Sequence, residues 1–221
     1  MTYAAANIEW DELPNYDEID ASFDEIAYTI QQTNVRISCH PSEYNVLASN
    51  NTDAVSRTVT ELNFYSSFLD RIGCPADYNS PMNLHINNRQ GSNDEIVERF
   101  IQNFYRLDDN CRNRIVIEND DKLNCWSVKQ LIEDFHPKTN IPITFDYLHH
   151  ACHPDGLLEQ DALENCYMSC DLLKSKSSIY QQFEGNFGRY SFVILFRYFL
   201  IFLVGFGPLF LLLSNSKLKN K

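Results

Sequence analysis

Five side chains in this sequence could act together on one ligand. His40, His85, Glu118 and Asp146 each fall at or next to the end of a short apolar run ("VRISCH", "MNLHI", "RIVIEN" and "IPITFDY"), and His149 follows Asp146 by three residues. Imidazole nitrogens mixed with carboxylate oxygens suit Zn²⁺ or Mn²⁺, whereas Ca²⁺ takes oxygen ligands alone. Glu118 has the two oxygens needed to bridge a pair of ions, and His149 could take a second ion beside the first. His150 is expected to fix the orientation of a neighbouring ring by hydrogen bonding, and His153, before Pro154, reads as a loop residue. Each residue alone has an ordinary explanation, since a histidine at a strand end usually bonds to backbone and an Asp or Glu there caps the next helix. The joint pattern is harder to dismiss, because it puts chemistry at the same end of four successive runs.

Those runs alternate with helix-like segments. Residues 17–33 place Ile19, Phe23, Ile26 and Ile30 on one face of a helix. Residues 52–73 open with Thr52 as an expected N-cap, keep Val55, Val59, Leu62 and Leu69 in register, and close at Gly73 as an expected C-cap. Ser92 and Glu95 have capping-box spacing ahead of Ile96, Phe100 and Leu107. Ser127 caps a segment with Leu131 and Phe135 facing inward, expected to stop before Pro137. Strands alternating with helices of this length imply crossover connections and a parallel sheet. The fold class is α/β, a partial TIM-type (β/α) barrel, and in such folds ligands bind at the carboxyl ends of the strands.

Composition sets the limits. A net charge of -12 gives no generic reason to approach nucleic acid or an anionic membrane, so a DNA substrate requires bound cations that reverse the local field. Seven scattered cysteines without a CxxC pair or a secretory signal read as small, buried, reduced thiols in a cytoplasmic protein. The text changes near residue 192. The run 192–213 is apolar but for Arg197 and precedes Lys217, Lys219 and Lys221. At about 1.5 Å per residue it is long enough to span a bilayer as a C-terminal helix, with the lysines on the cytoplasmic side. The rival reading is a segment not native to the domain. The chain thus divides into 1–165, a barrel domain; 166–191, a linker; and 192–213, the apolar segment.

The segments "RISCHPSEYNVLAS", "NLHI", "VIENDDK" with the following "NCW", and "ITFDYLHHACHP" occur in that order. They resemble the strand-end motifs of the UV damage endonuclease family (UvdE-like), relatives of endonuclease IV, from about Ile8 to Asp161. The resemblance implies incision of damaged double-stranded DNA immediately 5′ to a lesion, using two or three divalent metal ions, Mn²⁺ first, with Zn²⁺ or Mg²⁺ as alternatives. It makes His40, His85, Glu118, Asp146 and His149 metal ligands, with Glu118 and Asp146 the catalytic carboxylates and Glu118 the bridge. Glu43 and Tyr44 fall where the family has a Gln and an aromatic residue that probe the damaged nucleotides. Glu43 loses the amide donor and adds repulsion near phosphate; Tyr44 could stack on an unstacked base. Lys122 could face phosphate or pair with Asp120 or Asp121.

A (β/α)₈ barrel takes about 250 residues and eight strands, and four are legible here. The chain is therefore expected to be truncated at both ends, lacking the later strands that would supply further ligands. Its open edges would favour self-association or a complementary fragment. For the chain alone, weak metal binding and impaired or absent incision are expected. The competing readings are a sugar isomerase of the same barrel group and an inactive, membrane-anchored remnant.

Overall fold

The computed structural model describes residues 12–33, 35–171 and the backbone of 210–215. The elements run α1 (Tyr16–Thr33), β1 (Val35–His40), α2 (Thr52–Arg71), β2 (Met82–Leu84), α3 (Asn93–Phe104), α4 (Asp109–Arg112) and β3 (Ile115–Glu118). They continue through α5 (Val128–Gln130), a π-helical turn (Leu131–Phe135), α6 (His136–Thr139), β4 (Ile143–Thr144), α7 (Tyr147–Cys152), α8 (Glu159–Asp171) and β5 (Phe210–Asn215). The sheet order is β4-β3-β2-β1-β5. The first four strands pair in parallel, each reached through a helical crossover, and β5 runs antiparallel to β1 from Val35↔Asn215 to His40↔Phe210. Four strands is half the count of a closed (β/α) barrel.

Alternation along β3 explains how one strand serves both core and site. Ile115 and Ile117 are fully buried in the hydrophobic core cluster, whereas Val116 is buried outside it. Successive side chains point to opposite faces, so Glu118 shares the face of Val116, away from that core. Beneath β3 the helical layer is closed by Phe100 against Phe135, ring centroids 5.0 Å apart and edge to face, and by Trp126 beside Phe135. Burial of such side chains stabilises a fold by about 1.5–3 kcal/mol each.

Several local expectations shift by a residue or two. Asn51, not Thr52, caps α2, its side chain accepting from the N–H groups of Asp53 and Ala54. Ile72 closes that helix, and Gly73 follows at φ 77, a conformation a β-carbon disfavours. The Ser92–Glu95 capping box forms as expected. The helix after Ser127 does not stop before Pro137. It passes through a π-helical turn, in which the His136 N–H reaches back to the Leu131 carbonyl, and runs on to Thr139. Proline lacks the N–H that a regular ladder needs, and the widened turn accommodates it.

Helix α8 continues past residue 165, and its Ser169 hydroxyl accepts from the Ile143 N–H at the start of β4. The remainder of the expected linker, 172–191, lies outside the described residues, as do residues 192–209 of the expected apolar helix. Residues 210–213 belong to β5 rather than to a helix. The physical reason is the edge of β1, whose backbone groups are satisfied by a pairing strand. Among the described residues no helix is long and apolar enough to cross a membrane. No disulfide joins the cysteines, and burial pushes the Cys111 thiol up to about 12.

Candidate metal centre

The four parallel strands end on one side, and there the five expected residues meet. Glu118 closes β3 with its side chain only 7% exposed. Its Oε2 lies 3.4 Å from His40 Nε2, at the end of β1, and its Oε1 lies 3.7 Å from His85 Nε2, just past β2. Oε1 is also 3.6 Å from His149 Nδ1, in the first turns of α7. Asp146 leaves β4 as the N-cap of that helix, its Oδ1 accepting from the His149 N–H at 2.9 Å. The imidazoles of His40 and His149 flank that of His85 with centroids 5.2 and 5.4 Å away.

These separations are compatible with a coordination shell. Nitrogen–oxygen hydrogen bonds run at about 2.7–3.2 Å, shorter than the contacts of His40 and His85 to Glu118; the His149 contact is made by Nδ1, the nitrogen that also meets the Asn119 carbonyl. Two ligand atoms each about 2.1 Å from one cation, at a tetrahedral angle, stand about 3.4 Å apart. His40, His85 and Glu118 offer ligand atoms within 4.8 Å of one another, as do Glu118, Asp146 and His149. Glu118 is common to both groups and can bridge. The His40 and His149 rings are also turned in the way ligands require. His40 Nδ1 donates to the Pro41 carbonyl at 3.1 Å, which leaves the Nε2 lone pair facing Glu118. His149 Nδ1 donates to the Asn119 carbonyl at 2.9 Å, which leaves Nε2 for an ion. His85 Nδ1 has no hydrogen-bond partner and faces the Asp120 carboxylate at 3.7 Å. The donor set and its spacing fit a divalent metal.

Electrostatics divide the histidines. Burial opposes a charged His40 ring, but the Glu118 carboxylate and the Pro41 carbonyl outweigh it, and the pKa lies above the ordinary value. Burial dominates at His85, reinforced by His40 and His149 and only partly offset by Glu118 and Asp120, so its pKa lies below. Burial also works against the Asp120 carboxylate, yet the Lys122 N–H, His85 and Lys122 hold it below the usual carboxylate range.

Asn119 and Asp120 escaped the sequence reading as site residues. Both lie in "ENDDK" directly after Glu118, and that adjacency was the only signal. The remaining sequence candidates fall on the rim. Tyr44 is 80% exposed. Lys122 Nζ lies 3.7 Å from Glu43, linking the loop after β3 to the loop after β1, rather than pairing only with the neighbouring aspartates. The Glu43 carbonyl accepts from Asn87 Nδ2. His150 is buried against Phe145, its Nδ1 without a hydrogen-bond partner, and His153 follows α7 in the loop before Pro154, as expected, but is buried there.

A family model described as UV-endonuclease UvdE matches residues 7–175. The chain belongs to this family. A UV DNA damage endonuclease from Clostridium perfringens is 30% identical over 150 residues, 68% of this chain and 34% of the relative. One from Bacillus cereus is 32% identical over 128 residues, 58% of this chain and 39% of the relative. The crystal structure of SacUVDE superposes with a TM-score of 0.65 at 30% identity, covering 76% of this chain and 55% of that one. The chain thus spans between 34% and 39% of the length of these two UvdE relatives. Membership establishes the barrel-type α/β fold, and it places the candidate centre in a family named for endonuclease action on UV-damaged DNA.

Proposed function

We propose that this chain carries the metal-holding part of a DNA-repair endonuclease that cuts the phosphodiester 5′ to UV lesions. The observation that carries the reading is Glu118, buried among three imidazoles at the carboxyl end of a parallel sheet. His40, His85 and Glu118 hold one divalent ion; Glu118, Asp146 and His149 hold another. This mixed nitrogen and carboxylate set suits Zn²⁺ or Mn²⁺, and the resemblance to the UvdE family puts Mn²⁺ first, ahead of Zn²⁺ and Mg²⁺. Such ions, when bound, activate water and offset the charge of the phosphate under attack. The chain's own part is to place that charge in a molecule whose net balance of -12 would otherwise repel DNA. Glu118 and Asp146 fix the ions, Lys122 draws in a backbone phosphate across the rim, and Tyr44 offers an exposed ring on which an unstacked base can rest.

The test is nicking of UV-irradiated supercoiled plasmid by the full chain with Mn²⁺. Incision that depends on irradiation and disappears with EDTA is the expected result, at a rate below that of a relative spanning the whole family length. Equal nicking of irradiated and unirradiated plasmid, or no incision together with no Mn²⁺ binding at any concentration, overturns the proposal.

Asp120 offers a second check. Asp120→Asn keeps an acceptor for the Lys122 N–H, 3.1 Å away, but removes the negative charge beside His85 Nδ1. Loss of such an outer partner weakens metal binding by about 10–100-fold, and the low end is expected because the contact is 3.7 Å. Calorimetric titration with Mn²⁺ measures it; unchanged affinity would remove Asp120 from the site.

A further inference from the structure

The sheet ladder between β3 and β4 stops at Glu118↔Thr144, short of Asp146 and His149, the other two members of the second group of candidate ligands. Beyond that point the side chain of Asn119 takes over. Its Oδ1 accepts from the Asp146 N–H at 2.8 Å, and its Nδ2 donates to the Asp146 carbonyl at 3.1 Å. Its own carbonyl accepts from His149 Nδ1 at 2.9 Å. Asn119 is 1% exposed, so none of these bonds competes with water. One residue therefore engages both Asp146 and His149 while joined by a peptide bond to Glu118, the third member of that group.

We infer that Asn119 is the positioning residue of the Glu118–Asp146–His149 ion position, acting as an extra rung that fixes α7 against the end of β3. The inference rests on the metal reading above. An amide alone meets the requirement: it presents one donor and one acceptor side by side, where aspartate lacks the donor and serine lacks the reach. The His40–His85–Glu118 position does not depend on that rung, because His40 and His85 stand on β1 and past β2. Loss of the rung should therefore split the two positions.

The experiment is Mn²⁺ titration of the full chain, followed by the electron paramagnetic resonance signal of free Mn²⁺, beside thermal melts of the metal-free protein. The variants are Asn119→Ala and Asn119→Leu, the second keeping the branched shape without hydrogen bonds in case the first leaves a void that prevents folding. Asn83→Ala is the control, since Asn83 is buried and bonds to Thr144 below the site. The expected result is that the Asn119 variants keep one Mn²⁺ at parental affinity and bind the other at least ~10-fold more weakly, the range for outer-shell partners. Asn83→Ala should lower the melting temperature and keep both ions. Both ions weakened alike, or neither weakened whatever the melting temperature, overturns the inference and leaves the metal reading standing. A parent that fails to bind two Mn²⁺ overturns the two-ion reading, and this inference with it.

Discussion

Glu118→Gln is expected to abolish the Mn²⁺-induced rise in melting temperature and all irradiation-dependent incision, without destabilising the metal-free chain. Glutamine keeps the size of the side chain and one acceptor oxygen, so packing at the end of β3 is undisturbed. What it removes is the single negative charge shared by both candidate ion positions. Changes in partners that only touch a ligand cost about 10–100-fold in metal affinity, and loss of the bridging anion should exceed the top of that range. The thermal readout follows by linkage. An ion present at ~100 times its dissociation constant stabilises the native state by about 2.7 kcal/mol, and that increment vanishes when affinity collapses. The metal-free comparison separates this from a folding defect. In the parent, a nearly buried carboxylate has only contacts of 3.4–3.7 Å to imidazoles, too long to offset its desolvation fully. The variant's metal-free melting temperature should therefore equal or exceed the parent's, the usual trade between function and stability. Retention of the Mn²⁺ shift by Glu118→Gln would sink the assignment of this residue.

The strand ends were legible because chemistry and periodicity coincide there. An apolar run that closes on His40 or Glu118 needs no structure to be seen, and the parallel class follows from the helices between the runs. The residue at which each ladder stops was not legible. β2 stops at Leu84 and β4 at Thr144, because His85 and Asp146 leave the ladder to reach the cluster. Asn119 was invisible for a different reason. An asparagine after a strand reads as a turn former, and its partner Asp146 lies 27 residues on, a pairing that no spacing rule encodes. The Glu43–Lys122 contact is likewise a meeting of two loops from different strands. At the other end of the chain, an apolar run long enough for a membrane helix contributes residues 210–213 to a strand, since hydropathy reports burial and not the partner that supplies it.

Asp70→Ala is expected to cost about 3 kcal/mol of stability, read as a fall in urea midpoint at constant slope. The cause lies at the amino end of the strands, the end opposite the cluster. Arg114, one residue before β3, has a side chain with 0% exposure. Its Nη2 donates to Asp70 Oδ1 at 2.5 Å and to the Cys74 carbonyl at 2.8 Å, and its Nη1 donates to Ser66 Oγ at 2.7 Å. Removing the one anion strands a buried cation, which costs about 3–5 kcal/mol. The low end applies because Ser66 and Cys74 remain as acceptors and the Asp70 side chain, 37% exposed, opens the pocket's rim to water. Arg114→Met removes the charge while keeping most of the volume; of its three neutral acceptors the Ser66 hydroxyl can turn to another partner and the Asn110 carbonyl is only partly buried, so the Cys74 carbonyl is the main loss, at about 1–3 kcal/mol. The two changes should therefore not add: Asp70→Ala with Arg114→Met should be more stable than Asp70→Ala alone. A double variant less stable than the single one would mean that Arg114 holds α2 to β3 by packing rather than by charge. The Arg114 carbonyl accepts from the Met82 N–H at 2.8 Å, at the start of the β2–β3 pairing that ends in His85 and Glu118. This pair thus anchors the strands beneath the site without touching it, and Mn²⁺ affinity of the folded Asp70→Ala protein should match the parent's.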